Sequence, residues 1–355
     1  MTAIPRFTAT SPAKAGEVAG FLFLLTGIVL FLSLEQWAIA EVLFVLWLIC
    51  LMIFVVRRII QRVKSSPGVN QPPFEMIWLP LGAATGIIAT ILLILGQLDI
   101  FPRWALTIGK PMMEQGFLLC VVFGIGSFLI PRLMGTYGSL PVKKHSEEFC
   151  DRPQHEHLRV HASLTFNLFL FILFLASFVF EGQKWYFLAY GLRALVTTVI
   201  FSRTRVIPGP PKTGDFYIRL IWISSWMITI GLWGAALWND YRIVWLHVAF
   251  IGGFSLMTFA VASMVIMSHA GEGHRLQKPL WIFWMIGLGL AAVVFQRAAV
   301  VIFPDRYFQL LGVAAVIWMA VGLSWLIFIL PYIFKIPKED EFAKLHDQAV
   351  SRVKM

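Results

Sequence analysis

The segment Ile39–Val56 (IAEVLFVLWLICLMIFVV) is followed at once by Arg57 and Arg58 and shortly by Arg62 and Lys64. An apolar run of this length suits the roughly 20 helical residues that cross a bilayer's hydrocarbon core. The basic cluster behind it marks a cytoplasmic boundary under the positive-inside rule. Read outward from here, the same pattern recurs at Gly16–Leu34, Ile77–Leu98, Glu114–Met134, Ala162–Phe180, Trp185–Phe201, Tyr217–Trp238, Ile243–Ser268, Leu280–Ala298 and Tyr307–Phe334. The span starting at Trp185 is short and carries Arg193 in its interior, and the last is long enough to tilt and to end at Pro331. The expected fold is all-α, a polytopic transmembrane helix bundle of about ten helices with the N- and C-termini cytoplasmic. It is expected to form a single transmembrane domain over 1–355, with a histidine-rich cytoplasmic loop at 135–161 and a cytoplasmic tail at 335–355.

Composition agrees. Of 355 residues 59% are apolar and 14% charged, against about 45–50% and 25% in an ordinary soluble domain. Of the 29 lysines and arginines, only Arg103, Lys110, Lys184, Arg242, Arg297 and Arg306 fall on the outer side of this topology. Arg193 lies within a span, and the rest are inside. The net charge of +10 follows from that topology and from attraction to anionic inner-leaflet lipid. No basic motif with interleaved aromatics suggests nucleic acid. The first span is too long, and too plainly followed by others, for a cleaved signal peptide. The expected location is the cytoplasmic (inner) membrane of a bacterium. Cys50 and Cys120 fall in spans and Cys150 in an inner loop, so no structural disulfide is expected, and the absence of CxxCH excludes the usual covalent c-type haem attachment.

A faint internal repeat joins the fourth span to the eighth. Gly124–Gly135 (GIGSFLIPRLMG) and Ala260–Gly271 (AVASMVIMSHAG) share Ser127/Ser263, Ile130/Ile266 and Gly135/Gly271. Gly16/Gly20 and Gly82/Gly86 have the GxxxG spacing that lets helix backbones approach closely.

Polar groups that a membrane penalises are where chemistry is expected. His247 and His269 sit near the two ends of the eighth span. On a continuous α-helix their interval brings them within about 40° of one face but roughly 33 Å apart along the axis, which rules out a shared metal. At the inner end, His269 and His274 flank the turn HAGEGH, while His157 and His161, spaced i, i+4, share one helical face at the start of the fifth span. Imidazole suits copper, iron and zinc, so these four can build a transition-metal or haem site if they converge; solvated or headgroup-binding histidines give the same pattern. At the outer end, His247, Glu114 and the thioethers of Met112 and Met113 offer a second ligand set. Alternatively, Glu114 caps a helix and the methionines fill apolar gaps. Arg193 is either a functional group or a structural cation paired with a carboxylate or carbonyls.

The run Trp245–His274 (WLHVAFIGGFSLMTFAVASMVIMSHAGEGH) resembles the signature of the NnrS family: a Trp-Leu-His, a glycine pair, and a histidine followed by small-Gly at the end of the same helix. The family's closing Gly-His-Thr-Gly-Arg reads Ser268-His269-Ala270-Gly271-Glu272 here, without the arginine. A weaker match starts at Glu114, followed at the family's interval by Gly126-Ser127-Phe128-Leu129. The two histidines of that family motif, His-x-His-Glu-Met, fall on Pro111 and Met113, which weighs against a metal site built there. The resemblance implies a polytopic membrane metalloprotein that contains haem and copper and is associated with nitric-oxide stress and denitrification. It points to His247 and His269 as cofactor-binding residues and less directly to Glu114, with membrane lipid and nitric oxide or a redox partner as the implied partners. His157, His161 and His274 are metal candidates from spacing alone. A multi-pass transporter, using His247, Glu114 and Arg193 to line a solute or proton path, is the competing reading; no span is visibly broken by a glycine-proline pair as many transporter sites require.

Overall fold

A computed structural model describes residues 14–65, 74–136, 153–207 and 209–335. His145, His346 and Cys150 lie outside those residues, as do the side chains of His155, His157 and His161. Each of the ten expected stretches forms a helix: α1 (Ala15–Ser33), α2 (Trp37–Ser65), α3 (Trp78–Gln97), α4 (Trp104–Leu133), α5 (Pro153–Gly182), α6 (Tyr186–Arg203), α7 (Phe216–Leu237), α8 (Arg242–His269), α9 (Trp281–Ile302) and α10 (Tyr307–Ile333). No strand occurs among the described residues. Hydrocarbon offers backbone N–H and C=O groups no partner, and a helix satisfies them within its own segment. Among the described residues nine helices are long and apolar enough to cross a membrane. The exception is α6, which carries Arg193 and Arg203. Because α5 starts at Pro153, the backbones of His157 and His161 belong to its first turns.

Six of these helices end in the same way. Glu35, Asp99, Gly135, Lys184, Arg205 and Gly271 take left-handed φ values between 55° and 77°. In each case the next residue's N–H returns to a carbonyl five positions back, as in Gln36 N to Phe31 O (2.8 Å) and Glu272 N to Met267 O (2.9 Å). That closure satisfies a helix-end carbonyl that would otherwise be orphaned at the membrane surface. It offsets the roughly 1–2 kcal/mol that a non-glycine residue loses in this conformation.

The chain divides into two compact units, residues 1–129 with 143–196, and 130–142 with 197–355. In the first, α3 touches α4 through Gly82, where an added Cβ would lie 2.6 Å from that of Cys120, and meets both α2 and α4 through Gly86, where it would lie 2.9 Å from Leu48 and 3.4 Å from the Phe117 ring. The Gly82/Gly86 spacing thus does the packing work expected of it; Gly16 and Gly20 meet nothing within 4 Å. Trp78 is fully buried among Phe123, Phe171 and Phe174, and its indole N–H donates to Asn167 Oδ1 at 3.0 Å, joining α3 to α5. In the second unit, α7 and α8 are in backbone contact: a Cβ on Gly231 would stand 2.7 Å from Ala249 N and from Trp245 O, and Gly234 lies against the Trp245 ring. Ser263 of α8 accepts the Trp325 indole N–H of α10 at 2.8 Å.

Neither α4 nor α8 is uniformly α-helical. Met112–Phe117 and Val122–Gly126 in α4, and Val248–Ser255 in α8, are π-helical, with hydrogen bonds lengthened to i→i+5. The interval from Gly135 to Gly271 is also the interval from Met112 to Val248, the residues at which the first π segment of α4 and that of α8 begin. The repeat seen in sequence therefore extends to a shared interruption and a shared left-handed glycine closing each helix.

Candidate functional site

His247 is the last residue before the π segment of α8 and is half-buried. Trp245 fixes this part of the helix: its ring occupies the space over Gly234 and stacks on Trp238 at 5.3 Å. His247 Nδ1 lies 2.6 Å from Ile243 O. At the other end of α8, His269 Nδ1 lies 2.6 Å from Val265 O. A carbonyl oxygen only accepts, so in both rings Nδ1 carries the proton. In the neutral imidazole the lone pair is then on Nε2.

The π segment changes one sequence expectation. The same-face relation of His247 and His269 assumed about 100° per residue throughout. Eight intervening residues are π-helical, with more residues to each turn, so that phase relation does not carry over. The axial separation still leaves the two rings at opposite ends of the helix, far beyond the roughly 2 Å of a metal–ligand bond.

Around His269 the chain is tied down by Glu272, which occupies the position of the family's arginine. Its carboxylate binds Lys335, Arg275 Nε at 2.8 Å and His274 Nε2 at 3.7 Å. Arg275 also donates to Tyr332 Oη at 3.3 Å. The HAGEGH turn is thereby fastened to the end of α10, and the Lys335 ammonium holds the Glu272 carboxyl below its usual range, with Arg275 and His274 adding to the effect. His274 itself is exposed.

In the first unit, Glu114 is exposed and 4.0 Å from Lys110. The neighbouring π-helical residue Gln115 points instead into a buried polar cluster that the sequence reading missed. Arg193, with no exposed surface, donates from Nη1 to Gln115 Oε1 (2.7 Å), from Nε to Ser177 Oγ (3.0 Å) and from Nη2 to Glu181 Oε2 (2.5 Å). Tyr190 donates to the other Glu181 oxygen at 2.6 Å, and the guanidinium lies over the Phe178 ring at 4.0 Å. The carboxylate partner expected for Arg193 exists; Glu181, at the edge of an apolar run, was the signal for it. Arg193 is thus a structural cation whose three nitrogens are all engaged.

Glu114 and the α5 histidines belong to the first unit, and His247, His269 and His274 to the second. Among the described residues no three His, Cys, Asp or Glu side chains gather in a way that could hold a metal ion. A cavity of about 760 Å³ in the second unit is walled by Trp226, Trp233, Trp238 and Trp245 and is lined by neither histidine. In the register of the repeat, His247 corresponds to Pro111, so the first unit has no histidine where the second has its Trp-Leu-His.

By fold and site this is a polytopic helical membrane protein with a histidine at each end of one interrupted span, each bonded through Nδ1 to the preceding turn. The family model described as NnrS protein matches residues 1–336, nearly the whole chain. The chain belongs to the NnrS family. No curated protein and no solved structure matches it.

Proposed function

We propose that this chain is a membrane metalloprotein that binds haem, copper or both through His247 and His269 and serves in the response to nitric oxide or in denitrification. One observation carries the reading: each ring donates its Nδ1–H to the carbonyl four residues back. Metal-ligating histidines characteristically donate their second ring nitrogen in this way, which sets the tautomer and raises ligand basicity. Family membership supports the same conclusion. Glu114, His157 and His161 in the first unit and His274 in the second are the further candidate ligands. Bound haem iron or copper supplies one-electron redox chemistry and a coordination position for a small ligand. The protein's part is to hold the imidazoles in one tautomer and to keep the surroundings apolar. Transport gains nothing from Arg193, whose donors already serve Gln115, Ser177 and Glu181.

The same ring-to-carbonyl bond also serves a purely structural histidine, so the decisive test is the cofactor itself. Protein purified from its native host is expected to show a haem absorbance band, stoichiometric copper, or both. A colourless, metal-free preparation from haem- and copper-replete cells overturns the proposal.

The location proposed is a bacterial cytoplasmic membrane with both termini inside, on the strength of the basic-residue asymmetry. Reporter fusions after Lys64, Lys212 and Glu341 are expected to score cytoplasmic, and fusions after Arg103 and Asp240 external. An external score after Glu341 would show that an odd number of helices crosses, with α6 the first to be removed from the count.

A further inference from the structure

Three arginines with buried guanidinium atoms lie in or beside the membrane spans, and two of them are paired. Arg58 meets Glu17 at 3.2 Å, and Arg193 meets Glu181. Arg297, in α9, is different: its Nη1 is enclosed and has no hydrogen-bond acceptor, and no carboxylate lies within ion-pairing distance of its guanidinium, among the described residues. A buried donor left unmade costs about 1–3 kcal/mol, and more when it is charged. The placement is also specific. Within the second unit, α9 packs against Arg242–His247 and the π segment that follows it, and the Arg297 charge stands within Coulombic reach of His247. A cation for which no described residue provides the acceptor, on a helix packed against the one that carries an imidazole with its lone pair on Nε2, is an arrangement completed by an anionic ligand.

We propose that Arg297 and His247 form an anion-recognition site in which the guanidinium donates to a carboxylate or small oxyanion held beside the His247 ring. Two sources present the same chemistry: the carboxylate of a porphyrin ligated at His247, and a free anion such as acetate or nitrite. Only the porphyrin source rests on the haem reading given above. Arg297 acts as a binding residue in either case; lysine at this position keeps the charge but not the planar fork that matches a carboxylate.

The full-length protein in lipid nanodiscs separates the sources. In one arm, hemin and its dimethyl ester, which lacks the carboxylates, are titrated by absorbance. The free acid is expected to bind about tenfold or more tightly. Arg297→Gln should lose that preference, Arg297→Lys retain part of it, and Arg306→Gln, at an exposed arginine, leave it intact. In the other arm, without porphyrin, acetate and nitrite are compared with chloride at equal ionic strength. There the wild-type unfolding midpoint is expected to rise with the anion and that of Arg297→Gln to stay put. A preference in the first arm assigns the carboxylate to a porphyrin, and stabilisation in the second arm alone assigns a free anion. If neither porphyrin binds, the haem reading fails by itself and the second arm alone decides the role of Arg297. Equal binding of hemin and ester by the wild type, with no anion raising its midpoint, overturns the proposal, and neither measurement depends on a variant folding.

Discussion

His247→Ala and His269→Ala are expected to remove different parts of the bound cofactor complement. The two rings occupy opposite ends of α8, and a metal–ligand bond of about 2 Å cannot bridge that interval. Each ring is independently prepared, with its own Nδ1–H···O contact to its own preceding turn. Loss of one should therefore leave the other's spectral and metal signature in place, with each single variant losing a complementary share. His274→Ala is expected to have a smaller effect at the His269 end, because His274 is exposed and held only at 3.7 Å by Glu272. Absorbance spectra and metal analysis on each variant, after chromatography shows that it inserts and stays monodisperse, make the comparison. Complete loss of both signatures on either single substitution in a stable protein would indicate one centre, and the two-site reading would be abandoned.

Arg193→Met is expected to destabilise the first unit by about 3–5 kcal/mol, the usual result of removing one partner from a buried ion pair. The substitution leaves the Glu181 carboxylate without its cation, Gln115 and Ser177 without their donor, and Phe178 without the charge over its ring. Charge neutralisation on both sides should be gentler. The pair Arg193→Met with Glu181→Gln is expected to recover a substantial part of the loss, because no uncompensated charge remains. Unfolding midpoints in a single detergent provide the measurement. A midpoint for Arg193→Met equal to wild type would show that the cluster is not what holds α4, α5 and α6 together. A functional role for Arg193 would then have to be sought.

Some features of this protein are local and others are not, and the division follows the range of the forces involved. The ten helices were legible because a bilayer leaves each apolar run one way to satisfy its backbone, so length and hydropathy decide the element without any knowledge of its neighbours. Ser127/Ser263 and Gly135/Gly271 were legible as a repeat because the left-handed closure at each glycine is a property of a few consecutive residues. The histidines at the ends of α8 were visible as residue types, and the family resemblance at Trp245–His274 extends over nearly the whole chain.

The tertiary structure decided the rest. The π segments in α4 and α8 have no signature in hydropathy, which reads the apolar character of a run and not the size of its hydrogen-bonded turns. They also break the phase on which the shared face of His247 and His269 was reckoned. Sequence left Arg193 either a functional group or a paired structural cation; the fold decides by closing three residues from two other helices on it, Ser177 and Glu181 from the preceding helix and Gln115 from 78 positions away. Arg297 counted in sequence only as one of a few basic residues on the sparse side. Its enclosed Nη1, with no acceptor among the described residues, exists only once α9 packs beside α8. What a residue is can be read along the chain, but whether its charge is answered depends on groups brought near it by folding, and that pairing sets its energy in a membrane.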